Sequence, residues 1–178
     1  MAKDFSARFR IKPGDRVRLA KRDPADVKAY SDKNAARDRS IKDGFAISDL
    51  QNRLYAERTR ALLVVFQGAD TSGKDSTIQH VFKETGPRGV FVKPFRHPSE
   101  DELAHDFLWR VHHACPPRGY IGIFNRSHYE DVLVGRVRNL APADEIDARY
   151  DQINDFEKML TDNGTVILKF MLHISKDE

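Results

Sequence analysis

The chain has 178 residues, 40% of them apolar and 32% charged, enough for one domain with a real core and short for two. No run approaches the ~18 apolar residues of a membrane span, the first residues lack an apolar signal core, and Cys115 alone excludes an internal disulfide, so we expect a cytoplasmic globular protein with no membrane partner. The formal charge of +3 hides an asymmetry: residues 1–60 carry sixteen Lys/Arg against nine Asp/Glu, net +7, and the rest carries fourteen against eighteen, net −4. A basic arm suits a polyanionic ligand through long-range attraction, and it also suits a solvated tail.

Residues 1–43 are polar and broken by Pro13-Gly14 and Asp23-Pro24, which predicts an extended arm with turns. Ser48 and Gln51 have capping-box spacing, and Leu50, Leu54 and Tyr55 then give a short helix to about Arg58. We therefore divide the chain into an arm, 1–47, and a core, 48–178. The apolar run Ala61–Phe66 predicts a buried strand. It opens into Gly68-Ala69-Asp70-Thr71-Ser72-Gly73-Lys74, and a helix follows to about Glu84. Val90–Phe95 is a second strand. Ser99 and Glu102 form another capping box, with Leu103, Phe107, Leu108 and Val111 at helical spacing behind it, and Trp109 and the Leu103/Phe107 face are expected in the core. Tyr120–Phe124 is a third strand with Asn125-Arg126-Ser127 at its tip. A helix over His128–Val137, a long amphipathic helix from Pro142 to Asn163-Gly164 and a fourth strand over Thr165–Ile174 complete the pattern. Apolar strands alternating with helices predict an α/β fold with a central parallel sheet and helices on both faces.

Strand, G-x-x-x-x-G-K and helix in that order are the phosphate-binding P-loop, or Walker A, arrangement. Gly68 and Gly73 let the backbone turn successive N–H groups towards an anion, the helix N-terminus adds partial positive charge, and Lys74 supplies a point charge. The phosphate-binding candidates are thus Gly68, Ala69, Thr71, Ser72, Gly73, Asp75 and Ser76. Asp75 stands where Ser or Thr usually holds Mg²⁺. Asp70 would repel phosphate unless a divalent cation lies between or it positions an attacking phosphate; an Asx-turn role is the alternative. Asn125 can orient a metal-bound water, and Arg126, at the sheet's C-terminal edge, can stabilise phosphoryl oxygens in transit or serve as a surface ion-pair partner. Asp70, Lys74 and Arg126 are accordingly the catalytic candidates, and Asp70 with Asn125 the metal candidates. Glu130 and Asp131 read as metal-water ligands or as acids at a helix start. Lys93, Arg136 and Arg138 are further phosphate candidates. The histidines show no metal-ligand spacing.

The runs LLVVFQGADTSGKDSTIQHVF, VKPFRHPSEDELAHDFLWR, PPRGYIGIFNRSHYEDVLVGRV and GTVILKFMLHISKDE resemble the polyphosphate kinase 2 family, in order, over roughly residues 49–178. Asn125, where other subgroups place a metal-binding Asp, is similar to the class III subgroup, which acts on nucleoside mono- and diphosphates. The resemblance implies Mg²⁺-dependent transfer (Mn²⁺ is the alternative ion) of a phosphoryl group from inorganic polyphosphate to AMP or ADP, with guanine the alternative base. It matches Asp70 to the P-loop acid tied to metal and acceptor phosphate, Lys74 to the P-loop lysine and Arg126 to the arginine after the third strand. It also implies a three-layer P-loop kinase fold and a dimer or tetramer. Ser76 replaces the glycine of a GKDG motif, and the family's arginine-bearing lid and C-terminal segment have no counterpart before Glu178, so a truncated chain is expected. The rival functions are an ATP-dependent nucleoside monophosphate kinase and a polyphosphate-binding module without turnover. No specific nucleic-acid partner is expected, because the aromatics fall at core spacing.

Overall fold

The structure is a computed structural model that describes residues 6–26, 32–137 and 142–175. Its centre is β1 (Ala61–Gly68), an almost continuous apolar run. Such a run belongs in a strand covered on both faces, and the chain provides both covers. Around β1 lie β2 (Val90–Pro94), β3 (Ile121–Asn125) and β4 (Thr165–Leu172), in the order β2-β3-β1-β4 with every pairing parallel. The register sets Phe66 beside Asn125 and Gly68 beside Leu172.

Alternate residues of β1 serve two cores. Leu63 and Val65 join Phe95, Val111, Phe124, Phe156 and Leu160, which brings α5 (Trp109–His113) and α7 (Ala143–Asp162) onto one face. Val64 and Phe66 join Ile78, Ile121 and Ile123, with Leu54 and Phe82 beside them, which brings α2 (Lys33–Glu57) and α3 (Lys74–Phe82) onto the other. Leu63, Ile123 and Phe124 are wholly buried, each worth about 1.5–3 kcal/mol of transfer free energy. A smaller cluster, Val132, Ile146 and Ile153, fixes α6 (Glu130–Val137) to α7. The three-layer α/β architecture with a parallel sheet is the one the sequence implied. Short helices α1 (Ser6–Phe9) and α4 (Glu100–Leu103) and a single 3-10 turn at Leu19–Lys21 complete the described elements. Among the described residues no helix is long and apolar enough to cross a membrane.

Three elements differ from expectation. α2 starts at Lys33, fifteen residues before the expected cap, because Asp32 accepts from the amides of Asn34 and Ala35 at 2.8 and 3.2 Å. Ser48 and Gln51 are therefore interior to the helix, and Gln51 is buried with its amide nitrogen donating to the Arg88 carbonyl at 2.7 Å. The expected helix through Leu103 and Val111 is split into α4 and α5. The Ser99/Glu102 box does cap α4 from both sides, but Asp106 accepts from the Leu108 amide at 2.9 Å and draws the chain into a turn. Leu103 is consequently exposed rather than core, and Trp109 is half-buried between His105 and His113. Finally, β4 ends at Leu172 and forms a sheet edge on which Val166, Leu168 and Phe170 stay about half exposed.

The capping difference is measurable. Asp32→Ala removes the acceptor for two helix-start amides and is expected to lower stability to urea by about 1 kcal/mol. Ser48→Ala, in the helix interior, is expected to change it by less than about 0.5 kcal/mol; the reverse ranking would restore the cap at Ser48.

Candidate active site

β1 delivers Gln67 and Gly68 to the C-terminal edge of the sheet, and residues 69–73 turn the chain into α3. Only glycine fits at Gly68: a Cβ there would lie 2.8 Å from the Leu172 carbonyl oxygen and 2.5 Å from Ser72 Oγ. Gly73, with φ of 78°, begins α3 and offers no side-chain cap. Among the described residues the first-turn amides of α3 thus have no side-chain cap, the arrangement that favours an anion. The hydroxyls nearby turn to the backbone, Thr71 to the Asp70 carbonyl and Ser76 to the Gly73 carbonyl.

Lys74 is buried, and its ammonium donates to the carbonyls of Gly68 and Ala69 at 2.9 and 2.7 Å and to Ser72 Oγ at 3.3 Å. An ammonium has three donors and all three are engaged, so contact with a phosphate oxygen requires one to be exchanged. The charge lies inside the loop and closes it.

Across the sheet edge, consecutive residues of the β3 tip each hold one acid of the loop region. Asn125 donates its amide to Asp75 at 2.7 Å, and the Arg126 guanidinium pairs with Asp70, whose side chain is 80% exposed. Arg126 adopts φ of 63° and Thr71 φ of 65°, left-handed conformations costly for residues with a Cβ. The Arg126 amide bonds the Phe66 carbonyl at 3.0 Å, tying β3's tip to β1. Beneath it, buried Gln67 donates to Glu130 at 3.1 Å. Gln67 was not singled out from sequence, though a polar residue closing an apolar strand is a usable signal.

The other phosphate candidates fall elsewhere. Lys93 lies two strands away, with its ammonium 5.8 Å from the centre of the Phe95 ring. Arg136 is taken by Asp147 of α7 at 2.9 Å, an exposed ion pair. Arg138 lies outside the described residues. Among the described residues no group of three His, Cys, Asp or Glu could hold a metal. Asp131 is half-buried: burial raises its pKa against the pull of Arg110 and Arg149.

Behind Arg126, the sequence runs into a polar cluster that periodicity did not flag. Glu157 of α7 accepts from His128 Nε2 at 3.2 Å, from the Tyr129 hydroxyl at 2.7 Å and from Lys169 of β4 at 2.5 Å. His128 is wholly buried, and its Nδ1 has no partner among the described residues. Burial pushes the Glu157 carboxyl up, but the bonds from His128, Lys169 and Tyr129 outweigh it and hold the pKa at about 2. Burial, with Glu157 alongside, raises the Tyr129 hydroxyl to about 12, so it remains a donor. The cluster joins α7, β4 and the segment following Arg126.

The sequence profile of polyphosphate kinase 2 matches residues 30–178. The chain belongs to the polyphosphate kinase 2 family. It is 49% identical over 172 residues to an AMP/ADP-polyphosphate phosphotransferase of Meiothermus ruber, covering 96% of this chain and 64% of that protein. It is 40% identical over 182 residues to an ADP-polyphosphate phosphotransferase of Rhodopseudomonas palustris, covering 96% and 63%. Its fold is similar to the crystal structure of polyphosphate kinase 2 from Arthrobacter aurescens TC1, with a TM-score of 0.88 at 40% identity, over 94% of this chain and 60% of that one. The chain thus spans somewhat less than two thirds of the length of these polyphosphate kinase 2 relatives.

The Glu157 cluster gives an acid-side signature. Stability from a depressed carboxyl pKa is complete above the ordinary value of 4.5 and is lost as pH falls towards about 2. With screening on the half-exposed Lys169 side, Glu157→Gln is expected to cost about 1–2 kcal/mol at pH 7. The gap from wild type should shrink when urea unfolding is repeated at pH 3. A pH-independent gap would mean that the carboxylate charge is not what the cluster uses.

Proposed function

We propose that this chain is the core of a phosphotransferase that moves a phosphoryl group from inorganic polyphosphate to AMP or ADP, giving ADP or ATP. The observation that carries the reading is the pairing across the sheet edge: residues 125 and 126 hold Asp75, in the first turn of α3, and Asp70, within the loop that Lys74 closes. Family membership and the names of the relatives support the same substrates. Guanine nucleotides are the alternative acceptors, and a homodimer or homotetramer is the proposed assembly. The domain division keeps residues 1–47 as an accessory arm, with α2 crossing into the core of residues 48–178.

The chemistry needs little covalent machinery. A terminal phosphate oxygen of the acceptor attacks the end phosphorus of polyphosphate, and the P–O–P bond behind it breaks, leaving a chain one phosphate shorter. In this reading the first-turn amides of α3 and the loop residues Gly68, Ala69, Thr71, Ser72, Gly73 and Ser76 cradle phosphate, and Lys74 exchanges one loop bond for a phosphate oxygen. Arg126 offers the guanidinium donors that Asp70 leaves free to the equatorial oxygens. Alignment and neutralisation of spreading charge are the sources of rate.

The donor set suits Mg²⁺ or Mn²⁺. The carboxylates of Asp70 and Asp75 and the amide oxygen of Asn125 are hard oxygen ligands, and Mg²⁺ takes one or two carboxylates with phosphate oxygens and waters for the rest. Asp70 and Asn125, with Asp75, would hold it; when bound, the ion neutralises phosphate charge. This also gives Asp70 a purpose an exposed acid beside phosphate otherwise lacks.

The test is ATP formation, read by luciferase, from polyphosphate, Mg²⁺ and ADP or AMP. Asp70→Asn and Lys74→Ala are each expected to lower turnover at least about 100-fold. ATP-plus-AMP turnover indifferent to polyphosphate would instead assign an ATP-dependent monophosphate kinase, and tight polyphosphate binding with no product a binding module.

A further inference from the structure

Between Arg10 and Arg22 the sequence RIKPGDRVRLAKR sets six cations against one acid. All thirteen residues are exposed, including Val17 and Leu19 at 42% each, so the segment is not there to bury apolar surface. The nearby acids are engaged by other groups. Asp15 accepts from the Lys12 amide at 2.8 Å, Asp23 from the Ala25 amide at 3.0 Å, and Asp26 pairs with Arg8. Among the described residues, the side chains of Arg10, Lys12, Arg16, Arg18, Lys21 and Arg22 have no ion pair.

The segment is moored at the candidate active site. His173 Nε2 donates to the Arg22 carbonyl at 3.2 Å. His173 follows Leu172, which is paired in register with Gly68 and presses its carbonyl against that glycine. The last residue of the basic run, Arg22, therefore lies one side chain away from the strand end beside the loop.

The loop needs outside charge. Its cations, Lys74 and Arg126, are matched by Asp70 and Asp75, and Glu130 stands behind them. A long polyanion gains little net attraction from these groups alone, and the arm adds six cations without an ion pair among the described residues. We infer that residues 16–22, moored through His173, form an outer track for long polyphosphate and give the site its chain-length preference. This rests on the proposed function. With Leu19–Lys21 in a 3-10 turn and the other four residues extended, the segment spans at most about 20 Å, enough to lie along several phosphates of a long chain, whereas tripolyphosphate is held at the loop alone.

The experiment compares equilibrium binding of long-chain polyphosphate and of tripolyphosphate by the 178-residue chain, wild type against an Arg16→Gln/Arg18→Gln/Lys21→Gln variant, over a salt series. These side chains are exposed and unpaired, and a thermal melt checks the fold. Long-chain affinity is expected to fall at least about tenfold, with the log–log salt slope reduced by about 2, and tripolyphosphate affinity by less than twofold. An Arg16→Lys/Arg18→Lys variant, which keeps the charge, is expected to stay within twofold of wild type for both ligands. Equal losses for the two chain lengths, no loss, or full displacement of long polyphosphate by an equally charged oligonucleotide at equal concentration would overturn the track. Absent turnover with length-dependent binding intact overturns the phosphotransferase and keeps the track. Turnover with a length ratio the triple variant leaves unchanged does the reverse.

Discussion

A buried ammonium must find partners or lose its charge, and this requirement shapes the loop. Lys74 satisfies it with two backbone carbonyls and a hydroxyl from the residues just before it. Those bonds draw Gly68, Ala69 and Ser72 around a single charge. They demand the close approach that only glycine permits at Gly68, where the chain runs against the Leu172 carbonyl. The depth of β1 in the sheet, covered by helices on both faces, keeps this geometry from relaxing.

The opposite wall is fixed by different means. Arg126 holds a left-handed backbone that surrounding structure must over-determine. Its amide is bound to β1, its guanidinium to Asp70, and the residues that follow it are clamped by Glu157 from α7. Glu157 binds Lys169 on β4 as well, so the far edge of the sheet helps to hold the loop after β3. The site is therefore a property of the whole sheet end rather than of the P-loop segment.

Most of the fold was legible because β1 and β3 are short apolar runs ended by glycine or polar residues, and α7 has a clear apolar face. α2 was half missed for a physical reason. Its first four turns meet α3 through Ser40 against His80 and the residues after α3 through Gly44 against Glu84, and its helicity is helped by the Asp32 cap and the Arg39–Asp43 pair. None of these leaves an apolar period to read. At the site, Asp70, Lys74, Asn125 and Arg126 were legible from the motif and its position at strand ends. The Asn125–Asp75 bond was not, since it joins residues fifty apart and follows from the register of Phe66 with Asn125. The partner of Arg136, Asp147 on α7, was likewise not legible, since the pair joins two helices.

Charge placement follows the same division between local and global information. The excess of cations in the first sixty residues is visible in composition, and composition cannot tell a solvated tail from a binding element. The His173–Arg22 contact places one end of the basic run, at Arg22, by the C-terminal edge of the sheet, beside a loop whose Arg126 is paired with Asp70. An acid-rich loop can orient a metal and an acceptor phosphate, whereas a polyanionic donor must be attracted from further out. Under the proposed function, placing the two tasks on separate parts of the chain would let the loop keep Asp70 and Asp75 without repelling a polyanionic donor.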